Sequence, residues 1–284
     1  ATLAHVSSMQ SELAAIAEAM EAIRRTPSFS HRLGQIQAAF SDWQIGYSHY
    51  VETHKDWLVN CLRVGSEALA LFHQALPSPD GIRPCVSRSG AAEALTDWYR
   101  TWGANRDAFV MLGEEGEGKT WAVLSWILDR MQVDGTFPPV LLATSHYANS
   151  DDAETLIASA IDRQLHPPRG EFRGRLRRWL ARPPSDHPLM ILVLDGINER
   201  QGAGWWRERL EELAGARLKE HVAIIITCRT AYWDTRLADP RPLRTRSHPL
   251  GPFTELELDQ VLAQHGLRHS SVPGELLPVI RKPR

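Results

Sequence analysis

The chain has 284 residues, with 32 Lys+Arg against 34 Asp+Glu and a formal net charge of −2. That length can bury a sizeable core in one large or two ordinary domains, and the near-neutral balance excludes a globally basic chain that coats nucleic acid. Three cysteines (Cys61, Cys85, Cys228) without C-x-x-C spacing argue against a disulfide framework or a zinc site, and no apolar run approaches the roughly 18 residues of a membrane span.

Residues 1–80 read as a helical segment and linker. Leu13, Ile16, Met20 and Ile23 recur at three- and four-residue steps, Thr26-Pro27-Ser28 breaks the pattern, a second helical stretch covers about 31–76, and Pro77 to Gly81 marks a linker. From about residue 84 short apolar runs alternate with helical segments, the runs being 108–112, 140–143, 189–194 and 222–227. Continuous apolarity predicts strands covered on both faces, hence an α/β domain over 84–250 with a parallel sheet and helical crossovers. Residues 251–284 read as the start of a further helical domain. The chain opens on Ala1 instead of Met and stops shortly after a helical pattern over 274–280, which reads as part of a longer protein. The cysteine usage fits a reducing, cytoplasmic setting.

Residues 113–120, GEEGEGKT, follow the run 108–112, precede a predicted helix over 119–131, and fit G-x-x-x-x-G-K-[ST]. Gly113, Gly116 and Gly118 let the backbone from Gly113 through Glu117 to Trp121 turn its N–H groups onto phosphate oxygens, at a helix end that adds its dipole. Lys119 would reach the terminal phosphates and Thr120 would ligate Mg2+. Glu114, Glu115 and Glu117 would repel phosphates if they pointed inward, so all three are expected to face solvent. A second signal is LMILVLDGINER over 189–200, an apolar run ending in Asp195. An aspartate there, at the end of a strand neighbouring the loop strand, suits a metal-ion shell. Glu199, four residues on, could orient and deprotonate a water.

Asp195-Gly-Ile-Asn-Glu199 after such a strand resembles the Walker B motif of NACHT-type and related STAND NTPases, signal-transducing ATPases that include animal and bacterial immune sensors. The resemblance covers about 84–284 and implies a P-loop NTPase fold that binds ATP with Mg2+, hydrolyses it slowly, and switches oligomerisation. It further implies a homo-oligomer on activation, ATP or ADP as ligand, and a protein trigger sensed by a region outside this sequence. Thr227-Cys228-Arg229, ending the run 222–227, is similar to the family's sensor 1, which implies that Arg229 meets the γ-phosphate. Leu250 to Gln260 resembles the passage into the family's helical domain, with Thr254 and Glu257 forming a capping box. Leu276 to Pro283 resembles the motif whose proline, here Pro283, packs near the nucleotide. Val86-Ser87-Arg88 is similar to the segment that contacts the base, with Ser in place of the family's Gly, and implies adenine contacts from Val86 and Arg88.

Other features read as structural. The tryptophans fit core or interface anchors, and His49 and His54 lack the spacing of a metal pair on one helical face. Six arginines between 169 and 182 fit an amphipathic helix with a solvated basic face, although they also keep open an AAA+-like motor or loader that touches DNA.

Overall fold

The computed structural model describes residues 14, 16–18, 20, 46, 47, 50–55, 86–144, 150–165, 171–237 and 243–282. The chain divides into two compact units, Ala1–Tyr50 and Val51–Arg284. In the first, residues 14, 16–18, 20, 47 and 50 are helical, and Ile16 and Met20 are exposed. The expected break at 26–28, the linker at 77–81 and most of the stretch 31–76 lie outside the described residues.

In the second unit the apolar runs form strands β1 (Ala108–Leu112), β2 (Val140–Thr144), β3 (Met190–Asp195) and β4 (Val222–Cys228), and every residue of β1, β3 and β4 is buried. Burial on both faces leaves no solvent face to be polar, which is why these runs do not alternate. A fifth strand, β5 (Thr245–Pro249), pairs in parallel with β1 and gives the sheet order β2-β3-β4-β1-β5. Its sequence, TRSHP, carries no apolar run. It is a half-exposed edge strand held by its pairing to β1, so neither of the periodic signals of a strand marks it.

All strand pairs are parallel, and parallel neighbours need crossover connections. Helix α1 (Ser89–Asn105) precedes β1, and α2 (Lys119–Val133) follows it. Helices α3 (Ala153–Leu165) and α4 (Glu171–Trp179) lead from β2 to β3, and α5 (Ala203–Leu213) with the short α6 (Ala216–Lys219) leads to β4. Helix α7 (Thr230–Arg236) follows β4 and α8 (Glu255–Gln264) follows β5. The pattern over 274–280 resolves into a 3-10 turn, Gly274–Leu276, and a single α-turn, α9 (Leu277–Ile280). No helix among the described residues is long and apolar enough to cross a membrane.

From β1 the chain jumps to the far edge at β2, works back through β3 and β4, then crosses β1 to form β5. The direction of winding therefore reverses between β1 and β4, where the carboxyl ends of an open α/β sheet leave a crevice for ligands. This order corrects one expectation. The Asp195 strand is not adjacent to β1, because β4 is inserted between them.

Helices α1 and α2 meet in an aromatic core. Trp98 packs against Phe109 and Trp126 with ring centroids 5.6 and 6.4 Å apart, and Trp126 stands edge-on to Phe137 at 5.7 Å. The indole N–H groups are satisfied: Trp98 donates to the Asp107 carbonyl at 2.8 Å and Trp126 to Thr96 Oγ1 at 3.0 Å. Trp98, Trp102, Trp126 and Trp206 are buried, as expected of core anchors, whereas Trp121 and Trp205 are half-buried.

His54 is buried in the helical residues 51–55, where its ring Nε2–H donates to the carbonyl of Val140 at the start of β2. Burial pushes its pKa down to about 4. The folded value lies below the unfolded value of about 6.5, so stability is whole above that pH and falls as pH drops towards 4; at pH 5 the loss from this residue is about 2 kcal/mol. Replacing it by glutamine keeps an N–H donor and removes the titration. His54→Gln is expected to narrow the gap between urea midpoints at pH 5 and pH 7.5; an equal gap in both proteins would refute the assignment.

Candidate phosphate-binding site

The loop from Gly113 to Thr120 joins β1 to α2. Gly116 and Gly118 both have φ of 79°, a left-handed conformation that costs other residues about 1–2 kcal/mol, and Gly118 caps α2. Gly113 is required for a different reason. A Cβ there would lie 2.5 Å from the Leu250 carbonyl oxygen and 2.6 Å from Glu117 Oε2. The loop thus presents backbone N–H groups at the amino end of a 15-residue helix, an arrangement suited to anions.

Of the three loop carboxylates, Glu114 and Glu115 are exposed, but Glu117 is buried. This corrects the expectation that all three face solvent. The Glu117 carboxylate folds into the loop and accepts the Glu114 N–H at 2.5 Å, replacing part of the hydration it loses. Lys119 Nζ donates to the carbonyls of Gly113 and Glu114 at 2.9 and 2.7 Å. Burial draws its pKa down, and the carboxylates of Glu117 and Asp195 oppose that shift.

Asp195 ends β3. The hydroxyls of Thr120, at the start of α2, and of Thr227, in β4, both donate to its Oδ1 at 2.7 Å. Thr227 Oγ1 also accepts the Gly196 N–H at 2.9 Å, so one buried hydroxyl fixes both the carboxylate and the turn after it. Burial pushes the Asp195 carboxyl upward, partly offset by the two hydroxyl donors. A buried carboxylate held in this way at a cleft suits a cation. The sequence pattern marks Thr227 only as part of a strand ending and assigns it no role of its own. The signal for it was a hydroxyl next to the end of the otherwise apolar run VAIIITC.

Glu199 returns to Asp195 through a tight turn, its N–H donating to the Gly196 carbonyl at 3.0 Å. Gly196 has φ of 63°, and a Cβ on it would lie 2.8 Å from Glu199 Cδ. Gly196→Ala is therefore expected to cost about 1–2 kcal/mol from left-handed strain alone and to displace Glu199. Chemical denaturation checks the first effect, and a variant as stable as wild type would contradict it. Asn198 Oδ1 accepts the Arg229 N–H at 3.0 Å, tying the turn to the end of β4. The Arg229 guanidinium is exposed and pairs with Glu115 at 2.8 Å.

These groups surround a cavity of about 630 Å³, which Lys119, Thr120, Trp121, Asp195, Glu199 and Arg229 line together with Gly116 and Gly118. Gly113 and Glu117 do not line it and instead hold the loop from behind. Val86 and Arg88 do not line it either, and Arg88, expected at the base, is buried against the segment after β5. Pro283 lies outside the described residues. No group of three or more His, Cys, Asp or Glu among the described residues could hold a metal by itself. Mg2+ needs no such cage, because it takes one or two carboxylates and fills its shell with water and substrate phosphates. Asp195 with the Thr120 hydroxyl fits that donor set.

The basic stretch is largely answered from within. On α4, Arg173 pairs with Asp152 at 2.7 Å and Arg177 with Glu154 at 2.9 Å, while Arg175 is buried over the Phe172 ring. Arg169 lies outside the described residues.

No family model matches the chain, and no curated protein matches it. Among solved structures it is similar to the crystal structure of Cdc6p from Pyrobaculum aerophilum, with 20% identity and a TM-score of 0.44, over 68% of this chain and 52% of that one. The chain thus matches about half the length of that protein. The α/β fold with a parallel sheet, helical crossovers and a P-loop stands on the sheet order and loop geometry described above.

Proposed function

We propose that this chain is the nucleotide-binding part of a regulatory ATPase of the STAND type, which binds ATP with Mg2+, hydrolyses it slowly and uses the nucleotide state to switch self-assembly. The observation that carries the reading is the convergence of the Thr120 and Thr227 hydroxyls on the buried Asp195 carboxylate, in the cleft where the glycine loop opens. In this proposal residues 84–250 form the nucleotide-binding domain, 251–284 begin a helical domain, and 1–80 are a helical segment. The setting would be cytoplasmic signalling, anti-phage defence among the options, with a protein trigger sensed by a region outside this sequence.

Each residue then has a task. Loop N–H groups and Lys119 neutralise the phosphate chain, and Thr120 and Asp195 would hold Mg2+, which would supply further charge neutralisation at the phosphates. Glu199 accepts a proton from the attacking water. Arg229 exchanges Glu115 for the terminal phosphate, where a guanidinium can neutralise the charge that develops. The four-residue step from Asp195 to Glu199 supports the STAND assignment, because the turn at Gly196 brings the second carboxylate back towards the first.

An AAA+-like motor or loader acting on DNA would use the same cleft. Two arginines of the helix that would touch DNA pair at the surface with Asp152 and Glu154, pairs that phosphates would have to displace, and on that account we put this reading second. Calorimetric titration with ATP and ADP, light scattering in each state, and ATPase rates with and without duplex DNA separate the two. A nucleotide-dependent change of oligomer with no response to DNA supports the switch, whereas DNA-stimulated continuous turnover rejects it.

A further inference from the structure

Arg88 precedes α1 and is 7% exposed, yet its guanidinium reaches two functional segments at once. Nη1–H donates to the Glu117 carbonyl in the phosphate loop at 2.9 Å. Nη2–H donates to the carbonyls of Gly251 and Pro252 at 2.6 and 3.2 Å, and Nε–H meets Glu257 Oε1 at 3.1 Å. The Phe253 ring lies 4.9 Å from the guanidinium carbon. Glu257 is itself part of the capping box that starts α8, its other oxygen accepting the Thr254 N–H at 2.8 Å.

The loop side of this junction is equally constrained. Glu117 stands between the left-handed Gly116 and Gly118 with its carboxylate on the Glu114 N–H, and Gly113 approaches Leu250 too closely to admit a side chain. A planar fork of donors can hold acceptors from both segments in fixed directions, which a lysine ammonium cannot do.

The geometry points to Arg88 as a positioning residue that couples occupancy of the phosphate loop to the start of α8, an inference that rests on the nucleotide-binding reading above. Phosphates drawing on loop N–H groups on either side of Glu117 fix the direction of its carbonyl. The same guanidinium passes that constraint to residues 251–257. The coupling is reciprocal, so whatever moves α8 alters nucleotide affinity through the same group.

Backbone hydrogen exchange on the whole chain, with and without Mg2+ and a non-hydrolysable ATP analogue, tests the coupling. In the unsubstituted protein the ligand is expected to slow exchange about fivefold or more, at the low end of usual couplings, in both 113–121 and 251–264. Arg88→Lys keeps a positive charge opposite Glu257 but cannot span the acceptors. There the loop stays protected on ligand addition, while the ligand-dependent slowing at 251–264 falls below about twofold. Undiminished slowing at 251–264 in that variant overturns the proposal. If Arg88→Lys does not fold, the double variant Arg88→Met with Glu257→Gln, which removes the fork without leaving a buried charge unpaired and retains an acceptor for the capping box, carries the same expectation and the same overturning result. In the unsubstituted protein, slowing confined to the loop overturns the coupling alone. Slowing in neither segment overturns the nucleotide-binding reading and the coupling with it.

Discussion

Lys119→Ala is expected to abolish measurable nucleotide binding. The ammonium is held at the mouth of the glycine loop by two loop carbonyls and lines the cleft with Thr120 and Asp195. On binding it would exchange those neutral acceptors for phosphate oxygens. Charge-assisted hydrogen bonds contribute about 1.5–3 kcal/mol each, so losing two weakens binding by about two to four powers of ten. Folding should be little affected, since the side chain bonds only to the loop and burial disfavours its charge. Calorimetric titration with Mg2+ and ATP, alongside thermal unfolding, separates the outcomes. A correctly folded variant that binds ATP within a few-fold of wild type would remove the loop from the proposed site.

Glu199→Gln should leave binding intact and stop turnover. The carboxylate lies beside Asp195 across the Gly196 turn, and glutamine keeps its size while losing the ability to accept a proton. General-base catalysis is worth about 10²–10⁴-fold, so the steady-state ATPase rate should fall by that factor with nucleotide affinity unchanged. If assembly follows the nucleotide state, the variant accumulates in the ATP-bound assembled form, read as a larger mass by light scattering. Turnover at the wild-type rate would mean that another group activates the water. A parallel loss of affinity would mean that Glu199 only supports the fold of the turn.

Both predictions begin from stretches contiguous in the sequence, and those were the legible parts. Buried strands β1 to β4 announced themselves as apolar runs because both of their faces are covered. The glycine loop was legible because its backbone conformation and its approach to Leu250 admit only glycine. The capping box at Thr254 and Glu257 is likewise a local device whose two bonds close within four residues.

What the sequence could not carry is who stands next to whom. TRSHP has no periodic signal and becomes β5 only because β1 offers it a partner. The insertion of β4 between β1 and β3 follows from the winding of the whole sheet, and it is this insertion that delivers Thr227 to Asp195. The surroundings of Glu117 and Arg88 likewise come from the fold. A carboxylate between glycines looks solvent-facing and Arg88 resembles a base contact, yet Glu117 turns back into its own loop and Arg88 is buried between that loop and residues 251–257. Local chemistry determined the loop, the strands and their turns, since backbone strain and burial pattern act within a few residues. Tertiary structure alone decided which polar side chains are buried together, because the loss of hydration they must offset arises only when separate segments of the chain, such as those carrying Asp195 and Thr227 or Arg88 and Glu257, are packed into contact.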